Sequence, residues 1–164
     1  MEYDGLLYRA LNPVYAREPL LGRGAERFGG RFNPVGTPAL YTSLTPETAI
    51  RESNQVGTLQ PTTLVAYRAR FAAIFDTGDS AALAAHGMSA VTLADPGWRD
   101  RMRTDGTAPT QTFALTLIAQ GYSGLLVPSF ARGARPDQLN LVLWHWGATD
   151  DAWLEVVDDE GRLG

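Results

Sequence analysis

Hydrophobic and polar positions along the chain form short patterns, most of them a few residues long. Stretches 6–10 and 39–43 carry the mixed apolar, aromatic and β-branched character of brief strands. Thr45-Pro46-Glu47 follows the second, an N-cap threonine with proline at the first helical position, and predicts a helix over roughly 46–56. At about 100° per residue, Ala49, Ile50, Ser53 and Val56 would share its inner face, centred near Ser53. Glu52 would sit on the border of that face, with Arg51 and Glu47 turned to solvent.

Residues 63–71 alternate as a strand, with Leu64, Ala66 and Arg68 as its inward set and Val65, Tyr67 and Ala69 opposite. An alanine-rich helix is predicted over 80–86 with Gly87 as its stop, and another over 110–120 ended by Gly121. Strands are predicted over 125–127 and 139–146, with a weaker one over 153–157. Short strands mixed with three helices, without regular alternation, indicate an α+β fold with mixed central sheets and flanking helices. No repeat or linker interrupts the sequence, so residues 1–164 read as one domain.

The segment 11–37 fits neither periodicity. It holds five glycines and three prolines, and a structureless stretch of that length in a compact domain is commonly functional. Gly22-Arg23-Gly24 has two glycines of a dinucleotide fingerprint, but Arg27 occupies the third position and the loop is expected to lead to a strand.

Charge sharpens the picture. All fourteen basic residues are arginine, which excludes lysine Schiff-base or phosphate-loop chemistry. Residues 5–35 carry five arginines against two glutamates, whereas from Asp137 onward seven acids face only Arg162. A net charge of −4 disfavours nucleic-acid binding; the arginine-rich segment suits a small anion, because guanidinium binds phosphate in a directional, bidentate way. The absence of cysteine excludes disulfides and thiol catalysis and fits a reducing cytoplasm. Neither a secretory leader at Met1–Asp4 nor an apolar run long enough for a membrane span is apparent. His86 and His145 are far apart without helper ligands, so no metal site is expected, and His145 between Trp144 and Trp146 reads as structural. Ser89 and Ser123 lack the glycines of a nucleophile elbow.

What remains is Tyr8-Arg9-Ala10, the run Gly29-Gly30-Arg31-Phe32-Asn33, Tyr41-Thr42-Ser43, Ala49-Ile50-Arg51-Glu52 and Val127-Pro128-Ser129. This order resembles the RES domain family over roughly residues 6–146, with Asn140–Trp144 similar to the family's closing strand; 86–108 has no match. Arg31, Glu52 and Ser129 align with the arginine, glutamate and serine that give the family its name. The resemblance implies a fold similar to diphtheria-type ADP-ribosyltransferases. It further implies a toxin paired with an Xre-type helix-turn-helix antitoxin that covers the active site, and NAD as substrate. ADP-ribose would pass to water, phosphate or a target protein. Glu52 would be the catalytic carboxylate and Arg31 a ligand of an NAD phosphate or ribose oxygen. Arg9 would be a second anion ligand, Tyr41 a packing face for nicotinamide or ribose, and Ser129 and Asn140 further polar contacts.

The chemistry is consistent with that assignment. Hydrolysis of an O-glycoside generally uses two carboxylates, one of them protonating the leaving oxygen. The nicotinamide of NAD is already cationic and departs neutral, so one carboxylate that steadies the ribosyl cation suffices. Two other classes stay open on sequence alone: a non-catalytic nucleotide-binding module with an arginine-lined pocket, and a nuclease-type toxin, which the acidic balance disfavours.

Overall fold

A computed structural model describes residues 1–55 and 57–164. Its strands are β1 (Tyr3–Leu11), β2 (Leu40–Ser43), β3 (Thr63–Phe71), β4 (Ile74–Asp76), β5 (Gly124–Pro128), β6 (Leu139–Leu143), β7 (Ala148–Thr149) and β8 (Ala152–Val156). They form one eight-stranded sheet in the order β4-β5-β6-β2-β1-β3-β8-β7, antiparallel except for β4 beside β5. The helices are α1 (Arg23–Phe28), α2 (Pro46–Ser53), α3 (Ser80–Ala85), α4 (Ala90–Ala94), α5 (Trp98–Asp105) and α6 (Pro109–Ala119). The fold is α+β, a mixed sheet with flanking helices.

Two apolar cores follow from strand alternation. On β6, Leu141 and Leu143 join Leu7, Tyr67, Phe71 and Ile74 on one side of the sheet. Val142 and the following Trp144 join Phe75, Phe113 and Leu117 beneath the helices on the other. The parity of β3 is the reverse of the sequence expectation: Val65, Tyr67, Ala69 and Phe71 are buried, while Leu64 is 43% exposed. The two large aromatics decide it, since they bury more apolar surface than Leu64 could, and Tyr67 donates its hydroxyl proton to the Pro19 carbonyl at 2.7 Å. Arg68, on the other face, pairs with Asp159 and Glu155.

The turn chemistry was legible. Thr45 caps α2 by accepting from the Thr48 amide at 3.2 Å, and α3 and α6 are followed by Gly87 and Gly121 at positive φ. Elsewhere the chain is more helical than expected. The glycine-rich stretch holds a 3-10 turn, Pro13–Tyr15, and then α1, for which Gly22 is the N-cap residue; it therefore leads into a helix, not a strand. Helices α4 and α5 occupy the segment that had matched nothing, and β4 was not anticipated. Strand β6 stops at Leu143 because the amides of Trp144 and His145 both turn to the Ser123 carbonyl; His145 is exposed.

The largest correction concerns α2. Its buried residues are Thr48 and Ala49, while Ile50 and Ser53 are exposed; Val56, the fourth member of the expected face, lies outside the described residues. The helix packs on β1 and β2. Thr48 and Glu52 are four apart, and Ala49 and Glu52 three, so Glu52 continues the inward stripe instead of bordering it.

Candidate active site

The sheet opens onto a cavity of about 420 Å3, a size typical of small-molecule sites. Its floor is one face of the central strands. Tyr41 and Ser43 alternate on β2, opposite Val142 and Asn140 of β6, and Tyr8 of β1 lies across from Ser43. Ala49, Glu52 and Ser53 of α2 form one wall, with Gln55 beyond the helix. The opposite wall is the turn Gly29–Phe32 with Trp98 and Arg99 of α5.

Glu52 is half-buried and held from three sides. Its Oε1 accepts from the Ser129 hydroxyl at 2.5 Å and from Asn140 Nδ2 at 2.6 Å, and its Oε2 accepts from Gln55 Nε2 at 2.7 Å. Asn140 is oriented in turn by Ser43, whose hydroxyl donates to Oδ1 at 2.7 Å. The Ser129 oxygen also accepts from the Ala131 amide at 3.3 Å. Charge-assisted bonds of this kind hold a carboxylate in place.

Arg31 lies on the far wall. Its Nη1 donates to the main-chain carbonyls of Leu93, within α4, at 3.0 Å and of Asp95, just after it, at 2.8 Å. Its guanidinium also stacks over the Phe130 ring at 4.6 Å, a cation–π contact. Asp95 is itself pinned, its carboxylate accepting from the Gly97 amide and pairing with Arg101 at 3.0 Å. Burial, and then the nearby Arg99 guanidinium, lower the pKa of Arg31 from the usual arginine value, while Glu52 and Asp95 act in the opposite sense. The carbonyls fix the direction of the guanidinium without neutralising its charge.

The turn that presents Arg31 is built from uncharged groups. Gly30 and Asn33 exchange main-chain hydrogen bonds at 2.9 and 3.3 Å. The fully buried Asn33 donates from Nδ2 to the Ala25 and Thr37 carbonyls. Tyr41 donates its hydroxyl proton to Asn33 Oδ1 at 2.6 Å and accepts from the Phe32 amide at 3.0 Å. A Cβ at residue 30 would stand 2.4 Å from that phenol oxygen, so only glycine fits there. Burial raises the pKa of the Tyr41 phenol, which stays a neutral donor. Gln111, also fully buried, clamps the turn from α6 by donating to the Gly30 carbonyl at 2.9 Å and the Asn33 carbonyl at 3.2 Å.

Of the residues singled out from sequence, Arg9, Arg31, Tyr41, Glu52 and Asn140 line this one cavity. Ser129 does not line it: its hydroxyl is directed to Glu52, not to the hollow. Arg9 reaches back to the Pro19 carbonyl at 3.3 Å. Sequence reasoning missed Ser43, Gln55, Gln111, Trp98 and Arg99. Ser43 had a signal, two residues after Tyr41 on the same strand face; Gln111, in an apolar helix 81 residues from Gly30, had none. His86, by contrast, is confined to a helix end, bonded to the Ala82 carbonyl and Gln120 and packed on Phe75. No helix among the described residues is long and apolar enough to cross a membrane.

Comparison with known proteins agrees with the arrangement of these residues. No curated protein matches the chain. The sequence model of the RES domain matches residues 6–163, nearly the whole chain and every cavity-lining residue named above. The protein belongs to the RES domain family, which is known from toxin–antitoxin systems.

Proposed function

We propose that this protein is the toxin of a bacterial toxin–antitoxin pair and that it cleaves NAD at the bond between nicotinamide and ribose. The observation that carries the proposal is that a fixed carboxylate, Glu52, and an oriented cation, Arg31, line the same cavity. Arg31, with Arg99 on the same wall, would bind the diphosphate; Arg9 directs its guanidinium to the Pro19 carbonyl, which Tyr67 also bonds. Tyr41, Trp98 and Phe130 supply aromatic surface for a flat ring.

Glu52 would act on the ribose. As the C1′–N bond breaks, its electron pair leaves with nicotinamide, which becomes neutral, and positive charge develops on the ribosyl ring. A carboxylate whose Oε1 is saturated by two donors can present Oε2 to that charge once the exposed Gln55 amide gives way. Water, phosphate or a nucleophilic side chain of a target protein then adds at C1′ and loses a proton to solvent. No general acid is required, and none of the described residues that line the cavity is a histidine.

The test is incubation of purified protein with NAD, with and without phosphate and with and without cell lysate, followed by product identification. Free nicotinamide with ADP-ribose, its phosphate adduct or a newly ADP-ribosylated protein supports the proposal and names the acceptor. NAD that is bound but returned intact under all conditions would instead indicate a nucleotide-binding module. An Xre-type antitoxin is expected to bury the cavity mouth; its co-expression should suppress both NAD loss and growth arrest.

A further inference from the structure

Ser43 is 3% exposed and lies on β2 directly across from Asn140 on β6. Its hydroxyl donates to the amide oxygen of Asn140, and the amide nitrogen donates to Glu52, so three side chains from three elements form one directed chain of hydrogen bonds. An amide's two ends have nearly the same shape and opposite hydrogen-bonding character. An ionised carboxylate accepts only, and it therefore demands the nitrogen end. That leaves Oδ1 pointing to the sheet, where Ser43 is the group that satisfies it. Bonds in series polarise one another, so donation from Ser43 strengthens the N–H bond that Asn140 makes to Glu52.

We propose that Ser43 is a positioning residue: it locks the Asn140 amide with its N–H toward Glu52, and so keeps that carboxylate charged and aimed into the cavity. Without the Ser43 hydroxyl the amide oxygen of the half-buried Asn140 loses its donor, which costs free energy. The amide can then relieve the cost by turning, which brings C=O toward the carboxylate and favours its protonated form. The part of this proposal that concerns turnover rests on NAD cleavage by Glu52; the part that concerns ionisation of Glu52 does not.

A neighbouring residue supplies the control. Thr42 is 1% exposed and donates its hydroxyl to the Leu141 carbonyl at 2.7 Å, one position along the same two strands. As Ser43 faces the cavity and Thr42 precedes it by one residue in alternation, the Thr42 hydroxyl serves the other face of the sheet. The charged and titratable groups that share the cavity with Glu52 are Tyr8 and Arg9 from β1, Arg31 from the turn, Tyr41 from β2 and Arg99 from α5. None is altered by substitution at residue 43, so a change in Glu52 ionisation reports on the Ser43–Asn140 link.

The experiment is a carboxyl-carbon NMR titration of Glu52 in the full chain, wild type against Ser43→Ala, Ser43→Thr and Thr42→Ala, with kcat and KM for NAD measured in parallel. Ser43→Ala is expected to raise the Glu52 midpoint by about half a unit to one unit and to lower kcat roughly three- to tenfold with little change in KM. Ser43→Thr, which keeps the hydroxyl, should restore both, and Thr42→Ala should leave the midpoint at the wild-type value. If Ser43→Ala does not fold, Ser43→Cys, a near-isostere with a weak donor, takes its place. An unchanged Glu52 midpoint in the hydroxyl-less variant, or an equal shift in Thr42→Ala, would overturn the proposal. If wild-type protein leaves NAD intact, the titration still decides the Ser43 link while the catalytic assignment fails separately.

Discussion

The arginines of the outer surface and those of the cavity live under opposite conditions. Outside, Arg68 pairs with Asp159 and Glu155, Arg70 with Asp4, and Arg135 with Glu47 and Asp137. Around the cavity, Arg31 bonds carbonyls, Arg9 reaches a carbonyl, and Arg99 stacks over Trp98 at 4.6 Å. None of these three has a carboxylate within ion-pairing distance among the described residues. Exposed ion pairs are screened and contribute little to stability, so the outer pairs are a solvated surface. Guanidiniums gathered around one hollow, directed by neutral acceptors and left with their charge, are arranged for an anion that arrives from outside.

The contrast can be broken most severely at Glu52, the carboxylate that lines the hollow among the described residues. Glu52→Gln should cut nicotinamide release at least roughly 100-fold while NAD affinity stays within about threefold, measured by steady-state kinetics and calorimetry. Equal turnover in that variant would remove the carboxylate from the chemistry. Next, Arg31→Ala should weaken NAD binding by about 1.5–3 kcal/mol, the loss of a hydrogen bond to a charged group. Arg68→Ala, taken from the outer surface, should bind NAD as the wild type does. An equal loss in both variants would mean that the cavity cations are not special.

The frame around the cavity gives smaller effects. Gly30→Ala drives a Cβ against the Tyr41 hydroxyl and should cost about 1–3 kcal/mol by denaturant unfolding. Gly24→Ala, in the first turn of α1 with open space around it, should instead stabilise by about 0.5 kcal/mol. Smallest is His86, whose pKa the Ala82 carbonyl and then Gln120 raise above its usual value. A raised folded-state pKa contributes stability that is fully present below the unfolded value and lost as pH climbs through the folded one. Gln120→Ala should therefore lower the melting temperature more at pH 5.5 than at pH 8, with NAD turnover unaffected.

Local chemistry was the legible part of this sequence. Thr45-Pro46 announced α2, Gly87 and Gly121 announced two helix stops, and the arginine-rich glycine segment holds α1 and the turn that carries Arg31. Glu52 was expected on the border of the inner face and instead continues its buried stripe. Counting Ile50 as inward misplaced the face by part of a turn: Thr48 and Ala49 are the buried residues of a helix that packs on β1 and β2, and Glu52 and Ser53 line the cavity. Leu64 misled for a related reason, since hydrophobicity alone could not reveal that Tyr67 and Phe71 would set the parity of β3. Helix α4 is only five residues long and α5 is polar, and the Arg31 bonds to Leu93 and Asp95 are what tie them to the cavity wall. Long-range partners such as Gln111 and Ser43 gain their roles from the folded arrangement, which no local window contains.

A crystal structure of the Glu52→Gln protein soaked with NAD addresses the shared hollow directly. The account expects unbroken NAD, with C1′ of the nicotinamide ribose beside residue 52 and the diphosphate against Arg31. NAD seated on another surface, or a diphosphate that ignores Arg31 while residue 52 faces solvent, would contradict it.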